Sequence, residues 1–306
     1  MEKTIFHARQ YMHPDKVMAV MYHSPCLDGT AAAYAAKQAN PKIELVQFNP
    51  NTDSVVDLAK KHWPDSLKYI MFCDCAPKAD ELNMLRILGH RVMVLDHHIG
   101  NERELKGYDG CFFNMDYSGC MLAWCYFHSA SRPIPRLLQT IGERDLGKFT
   151  HENRMVGSAL MKRQVGASVD ALTNLVTRGQ EAYAELMQEG NEIQTEIDAK
   201  IAKLFVRTTY YNEDTLVVYA ETDSYLYISE LGDHLLNVYA NCDPIEFFVV
   251  LYYNNETTKG KYKLSLRSSQ PSVDVSVIAK TLGGGGHCQA AGCMVDALPW
   301  GMTTTK

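Results

Sequence analysis

The feature that most constrains this chain is the order of its first half, where short apolar runs alternate with helix-like stretches. Val17 to Tyr22, Ile43 to Phe48, Tyr69 to Cys73 and Arg91 to Leu95 have the length and apolar density of strands. Between them lie an alanine-rich stretch from Thr30 to about Gln38, then Val55 to Lys61 and Ala79 to Leu88, all of helical character. Strands and helices alternating at these lengths predict a parallel sheet covered by helices on both faces. Residues 117–206 read as mostly helical, with a long polar stretch from about Val169 to Leu204. Beyond it the pattern changes. Thr215 to Tyr219, Ile245 to Tyr253 and Lys261 to Arg267 read as strands, with a helix between the first two. Asp274 to Thr281 reads as a further helix, followed by the glycine run Gly283 to Gly286. The predicted architecture is α/β throughout: a parallel-sheet domain over 1–185, a helical connector over 186–210 and a smaller α/β domain over 211–306.

Three of the first four predicted strands run directly into acidic or histidine-bearing segments. These are His23 to Asp28, Asp74, and Asp96 to His98. Ligand sites in open α/β sheets form beside the C-terminal ends of strands, so three such segments on one edge point to a site. A pair of divalent cations needs hard oxygen ligands, some imidazoles and a carboxylate that can bridge ions about 3.5–4 Å apart. Asp28, Asp74, Asp96, His23, His97 and His98 are of the right types. Any one of them taken alone is more simply a helix cap or a solvated strand end.

Composition bounds the partners. The 306 residues carry a formal net charge of −6, which argues against a protein that grips long duplex nucleic acid through many phosphates. No apolar run approaches the roughly 18 residues needed to span a bilayer. Nine cysteines are too few and too irregularly spaced for a disulfide scaffold in a chain of this length. The expectation is a soluble, cytoplasmic protein without a membrane partner, with homodimer formation left open.

The motifs resemble those of the DHH phosphoesterases. Asp96-His97-His98 after an apolar strand matches the tripeptide that names the family, and Asp74-Cys75-Ala76-Pro77 resembles its preceding Asp-x-x-Pro motif. His23 to Gly29 is similar to its first motif. Gly283 to Gly286 with His287, Ala290, Ala291 and Gly292 is similar to the glycine-rich signature of the DHH-associated C-terminal domain. The resemblance implies two divalent metal ions, manganese first among them, in the N-terminal domain. It makes His23 a ligand of one metal and Asp28 of the other, with Asp74 bridging and His97 a further ligand. His98 would face the scissile phosphate and Asp96 would orient the imidazoles. Asp145, in Gly142 to Phe149, is the best match to the family's remaining aspartate, with Glu143 as its competitor.

One position departs from the pattern. The family usually has Asp-x-Asp in its first motif, and Cys26 stands at the first of these here. A thiolate ligand is softer and brings zinc, iron(II) or cobalt into consideration. In the C-terminal domain, the glycines Gly284, Gly285 and Gly286 let a backbone approach a phosphate closely. His287 adds a polar side chain there. Ser265, Arg267 and Ser268 resemble the family's phosphate-recognition segment.

The expected function is hydrolysis of a short nucleotide substrate, such as an oligoribonucleotide, pApA, a cyclic dinucleotide or pAp, by a water activated between two metals. Exopolyphosphatase action on inorganic polyphosphate is an alternative. Two other readings differ in class: a nucleotide-sensing module without activity, and a metal-free phosphatase using Cys26 as nucleophile. The last would need positive charge to lower the thiol's pKa.

Overall fold

The computed structural model describes all residues except 51, 65, 129–131, 224–226, 241–245 and 305–306. It divides into two compact units, Met1–Asn191 and Glu192–Lys306.

The first unit opens with helix α1 (Glu2–Tyr11), and its strands and helices then alternate. In order they are β1 (Ala19–His23), α2 (Leu27–Ala39), β2 (Glu44–Phe48), α3 (Val55–His62), β3 (Tyr69–Cys73), α4 (Ala79–Ile87), β4 (Arg91–Asp96), α5 (Ile99–Glu104) and β5 (Cys111–Phe113). The sheet has the order β2-β1-β3-β4-β5 and every pairing is parallel. Each strand alternates its side chains between two helical layers. Ala19, Met21, Ile70, Phe72, Val92 and Val94 pack with Val55 and Ala59 of α3 and Leu82 and Leu85 of α4. The intervening Val20, Met71, Cys73, Met93 and Leu95 are equally buried on the opposite face. That face is covered by α2 and by α6 (Gly119–Phe127). With both faces buried, the central strands read as continuous apolar runs.

Helix α2 is alanine-rich because it is enclosed. Ala31 to Ala33, Ala35 and Ala36 have no exposed surface, and small side chains let the helix lie close to both the sheet and α6. The closest approach is at Gly29, where a Cβ would overlap the His23 carbonyl. Four more helices complete the unit: α7 (Arg136–Asp145), α8 (His151–Lys162), α9 (Val169–Arg178) and most of α10 (Gln180–Ile201). Thr150 caps α8 and Ser168 caps α9 through their side-chain oxygens.

In the second unit a mixed sheet is built from β6 (Val206–Tyr210), β7 (Thr215–Glu221), β8 (Glu246–Tyr253), β9 (Tyr262–Arg267), β10 (Gly285–Gly286) and β11 (Ala290–Val295). Its order is β10-β11-β9-β8-β7-β6, with only β7 and β8 parallel. Helix α12 (Val275–Thr281) packs on the face that holds Phe248, Val250, Tyr252, Leu264 and Leu266. Helix α11 (Ile228–Tyr239) contacts β8 and β9, with Gly232 beside Leu251 and Arg267.

The structure has the α/β character that the alternation predicts, and it differs from expectation in particular places. Residues 206–210 form an edge strand of the second unit, not the end of a helical connector. The β-branched and aromatic Val-Arg-Thr-Thr-Tyr run favours that conformation. The division between units falls inside α10. Ile245, the expected start of β8, lies outside the described residues. Helix α2 begins at Leu27, three residues before the expected Thr30, which places Asp28 and Gly29 in its first turn. Among the described residues, no helix is long and apolar enough to cross a membrane.

Gly29→Ala tests the contact of α2 with β1. The added methyl group has no space, and it is expected to destabilise the chain by about 1–3 kcal/mol in denaturant unfolding. An unchanged midpoint would show that the helix can move away from the strand without penalty.

Candidate metal centre

The site forms where the sheet changes direction. The chain leaves β1, places β2 on one side of it and returns to place β3 on the other, so a crevice opens between the C-terminal ends of β1 and β3. His23 ends β1, Asp74 follows β3 and Asp96 ends β4. Asp74 is buried, and its backbone has a φ of +60°. A left-handed conformation costs an L-residue about 1–2 kcal/mol, and aspartate tolerates it better than most. The turn points the carboxylate of Asp74 into the crevice, where its two oxygens meet different neighbours.

Asp74 Oδ2 is 3.5 Å from Cys26 Sγ and 3.7 Å from His23 Nδ1. Asp74 Oδ1 is 3.1 Å from His97 Nε2. That same imidazole nitrogen lies 3.2 Å from Asp145 Oδ2 and 3.9 Å from Asp28 Oδ2. Asp145 reaches the cluster from the last turn of α7, and Asp28 from the first turn of α2. Candidate ligand atoms within 4.8 Å of one another form the sets His23, Cys26, Asp74 and Asp28, His97, Asp145. A third set joins Asp74 to Asp96, His97 and His98. Asp74 thus stands between two groups of ligand atoms.

Two buried carboxylates, Asp28 and Asp74, with the exposed Asp145 beside them, make a site that suits a cation. Asp28 Oδ1 accepts the Cys120 N–H at 3.1 Å, whereas Asp28 Oδ2 is buried without any hydrogen-bond partner. Such an atom is costly unless something else satisfies it. Burial and the neighbouring Asp74 charge push the Asp28 carboxyl well above the usual carboxylate range. Desolvation by the surrounding protein and the Asp74 charge raise Asp145 to about 6, although it keeps access to solvent. Burial opposes ionisation of Asp74 too, but hydrogen bonds from His23 and His97 outweigh it and hold that carboxyl low. For His97, burial disfavours the imidazolium; the hydrogen bond to Asp74 and the surrounding carboxylate charges prevail and hold it up to about 10. With no metal the site keeps a proton on His97 in place of a cation. The donor set of three carboxylates, two imidazoles and a thiol fits divalent ions.

Beside the cluster, Asp96 acts as an anchor. Its Oδ1 accepts the His97 N–H and faces His98 Nδ1, both at 2.7 Å, and its Oδ2 accepts the Asn101 amide N–H at 2.7 Å. Burial disfavours the His98 imidazolium, but the Asp96 charge and hydrogen bond prevail and raise it to about 9.

Sequence reasoning missed several groups that shape the site. Asn101 lies three residues beyond His98, on the first turn of α5, and that spacing was its only signal. Gly119 lies where α6 meets the crevice; a Cβ there would sit 2.5 Å from Asp74 Cβ and 2.9 Å from Asp28 Oδ2. The Gly166 carbonyl accepts the Cys26 N–H at 3.0 Å and the Thr30 hydroxyl at 2.7 Å, fixing the first motif. Neither glycine is recognisable without the fold.

Ser265, Arg267, Ser268, Gly284, Gly285, Gly286 and His287 all lie in the second unit. Strand register aligns Ser265 with Gly292 and Gly292 with Gly285, and it aligns Arg267 with Ala290. Several of these groups are engaged by the fold itself. The Gly283 and Gly284 N–H groups bond to Lys280 O and Ala279 O at the end of α12, and His287 N–H bonds to Ala290 O. A Cβ on Gly284 would overlap Gly292 O, and Gly283 and Gly286 have φ of +76° and +143°. Gly285 alone of the four has neither a positive φ nor an obstructed Cβ. Ser268 Oγ accepts the Gln270 N–H at 3.1 Å in a buried turn. Arg267 packs against Gly232; burial disfavours its charge, while Asp233 and Glu230 stabilise it.

Residues 233–299 match the DHHA1 domain. A curated relative, an uncharacterised protein of Acanthamoeba polyphaga mimivirus, is 27% identical over 302 residues, covering 93% of this chain and 69% of the relative. The crystal structure of CDC45 from Entamoeba histolytica has a similar fold, with a TM-score of 0.52 at 9% identity over 96% of this chain and 95% of that one. A pGpG-specific phosphodiesterase from Vibrio cholerae gives a TM-score of 0.48 at 12% identity, over 90% and 92% of the two chains. The DHHA1 match lies in the second unit, and the Asp96-His97-His98 motif of the first resembles the tripeptide of the DHH phosphoesterases.

With His97 and Cys26 as ligands, metal binding would displace the protons they carry. Calorimetry at pH 7 in buffers of differing ionisation enthalpy should therefore report net proton release on metal binding, with the raised Asp28 carboxyl adding to that of His97 and Cys26. Because His97 holds its proton up to about 10, affinity should rise as pH goes from 6 to 9. Heats that do not depend on the buffer would contradict this account.

Proposed function

We propose that the chain is a metal-dependent phosphoesterase acting on short nucleotide substrates: oligoribonucleotides, pApA, cyclic dinucleotides or pAp. The observation that carries this reading is the Asp74 carboxylate, whose two oxygens face separate ligand groups beside the unpartnered, buried Asp28 Oδ2. Such a carboxylate is suited to bridging two ions. His23, Cys26 and Asp74 would hold one, and Asp28, His97, Asp145 and Asp74 the other. When bound, a divalent pair supplies Lewis-acid chemistry, withdrawing charge from a phosphoryl group and acidifying the water beside it.

The chain's own residues do the rest. The Asp96 carboxylate orients His98 through Nδ1, and Asn101 holds Asp96 in turn. In the metal-free chain Asp96 raises His98 to about 9, and in the proposed reaction His98 would give a proton to the departing oxygen or steady phosphoryl charge. The DHHA1 match of residues 233–299 would give the second unit a substrate-binding role of its own. A phosphatase using Cys26 as nucleophile is disfavoured, because burial and the charges of Asp74, Asp145 and Asp28 push that thiol well above its ordinary pKa.

The test is a panel of pAp, pApA, 5′-phosphorylated short RNA, a cyclic dinucleotide and polyphosphate, assayed with manganese and with excess chelator. Chelator should abolish cleavage, and Asp74→Ala should remove both metal binding and turnover. His98→Ala should retain the metals and lose turnover by about 10²–10⁴-fold. Cleavage of polyphosphate alone would move the substrate class to the inorganic polymer. Inertness towards the whole panel with manganese, cobalt, iron(II) and zinc would overturn the hydrolase reading.

A further inference from the structure

The ligand atoms around Asp74 are chemically unequal on its two sides. On the Oδ2 side stand Cys26 Sγ at 3.5 Å and His23 Nδ1 at 3.7 Å, giving a sulfur, nitrogen and oxygen set. On the Oδ1 side stand His97 Nε2 at 3.1 Å and, around that nitrogen, Asp145 Oδ2 at 3.2 Å and Asp28 Oδ2 at 3.9 Å. That second set is three carboxylates with one imidazole. Sulfur and nitrogen donors favour zinc and cobalt over manganese, whereas oxygen-rich sets accept manganese or magnesium readily.

The position of Cys26 is fixed by backbone packing. Its N–H bonds to Gly166 O at 3.0 Å, and Gly166 approaches so closely that a Cβ there would lie 3.0 Å from the Cys26 carbonyl carbon. On the other side, the buried Asp28 Oδ2 has no hydrogen-bond partner among the described residues, and the carboxylate is held by the Cys120 N–H at its sister oxygen.

We infer that the two positions take different ions: zinc, or a similar borderline metal, at His23–Cys26–Asp74, and manganese or magnesium at Asp28–Asp74–His97–Asp145. This rests on the two-metal reading above. Loading the first position replaces the Cys26 S–H bond with a sulfur–metal bond and releases the proton to solvent, with no change of oxidation state.

Cobalt(II) titration of the metal-free full-length chain tests this by absorbance. A thiolate-to-cobalt charge-transfer band should grow with the first equivalent, saturate there and be absent in Cys26→Ser. Asp28→Asn should keep the band. Chain loaded with one zinc should then take up one manganese, counted by electron paramagnetic resonance, with zinc retained by metal analysis. Cys26→Asp, which preserves a ligand at that position, should bind two manganese ions and lose at least about ten-fold of the zinc-over-manganese preference. Circular dichroism checks that each variant is folded. Two ions bound without the charge-transfer band, or zinc freely displaced by manganese, would overturn the inference and leave the two-metal reading standing. Fewer than two ions bound, whichever metal is offered, would overturn both.

Discussion

Asp74 is buried at the end of a central strand, in a left-handed turn, with its carboxylate pressed between two groups of ligand atoms. Much of the first unit follows from satisfying that charge. Its oxygens are met by His23 from β1, Cys26 from the turn before α2 and His97 from beyond β4, so the C-terminal ends of β1, β3 and β4 must meet at one point. Asp28 and Asp145 add charge of the same sign, and burial makes that charge harder to bear. The metal-free chain compensates with a proton on His97. A pair of cations would compensate more completely, which is why the acidity of the cluster and its proposed chemistry share one electrostatic origin.

That convergence depends on close backbone packing. Gly29 allows α2 to rest on the end of β1, Gly119 allows α6 to reach Asp74 and Asp28, and Gly166 allows the chain to pass beside Cys26. The Cys120 N–H at the start of α6 then fixes one oxygen of Asp28 and leaves the other facing the crevice. The alanines of α2 serve the same end, since bulkier side chains would lift the helix from the sheet and carry Asp28 away from His97.

In the second unit the glycine run has a mixed character. Gly283 ends α12 with a positive φ, Gly284 lies against the Gly292 carbonyl, and Gly286 turns into the short pairing with β11. These three are required by the fold, whatever binds nearby. Gly285 carries no such demand, which leaves it as the residue of the four whose lack of a side chain calls for another explanation.

By itself the sequence determined the alternation of strands and helices, the parallel sheet and the segments from which the site residues come. Those properties are local: apolar runs of strand length, helical stretches and polar residues placed directly after strands. It also marked Cys26 as the unusual member of its motif. Tertiary structure decided which atoms meet. The approach of Asp145 to His97, the anchoring of Asp96 by Asn101 and the roles of Gly119 and Gly166 join residues far apart in the chain or without a distinctive motif. The edge strand at 206–210 and the internal engagement of Ser268 were decided in the same way, by a neighbouring strand and by a turn. A one-dimensional pattern specifies what each segment can bury, but only packing specifies which donor a buried oxygen finds and where it finds none.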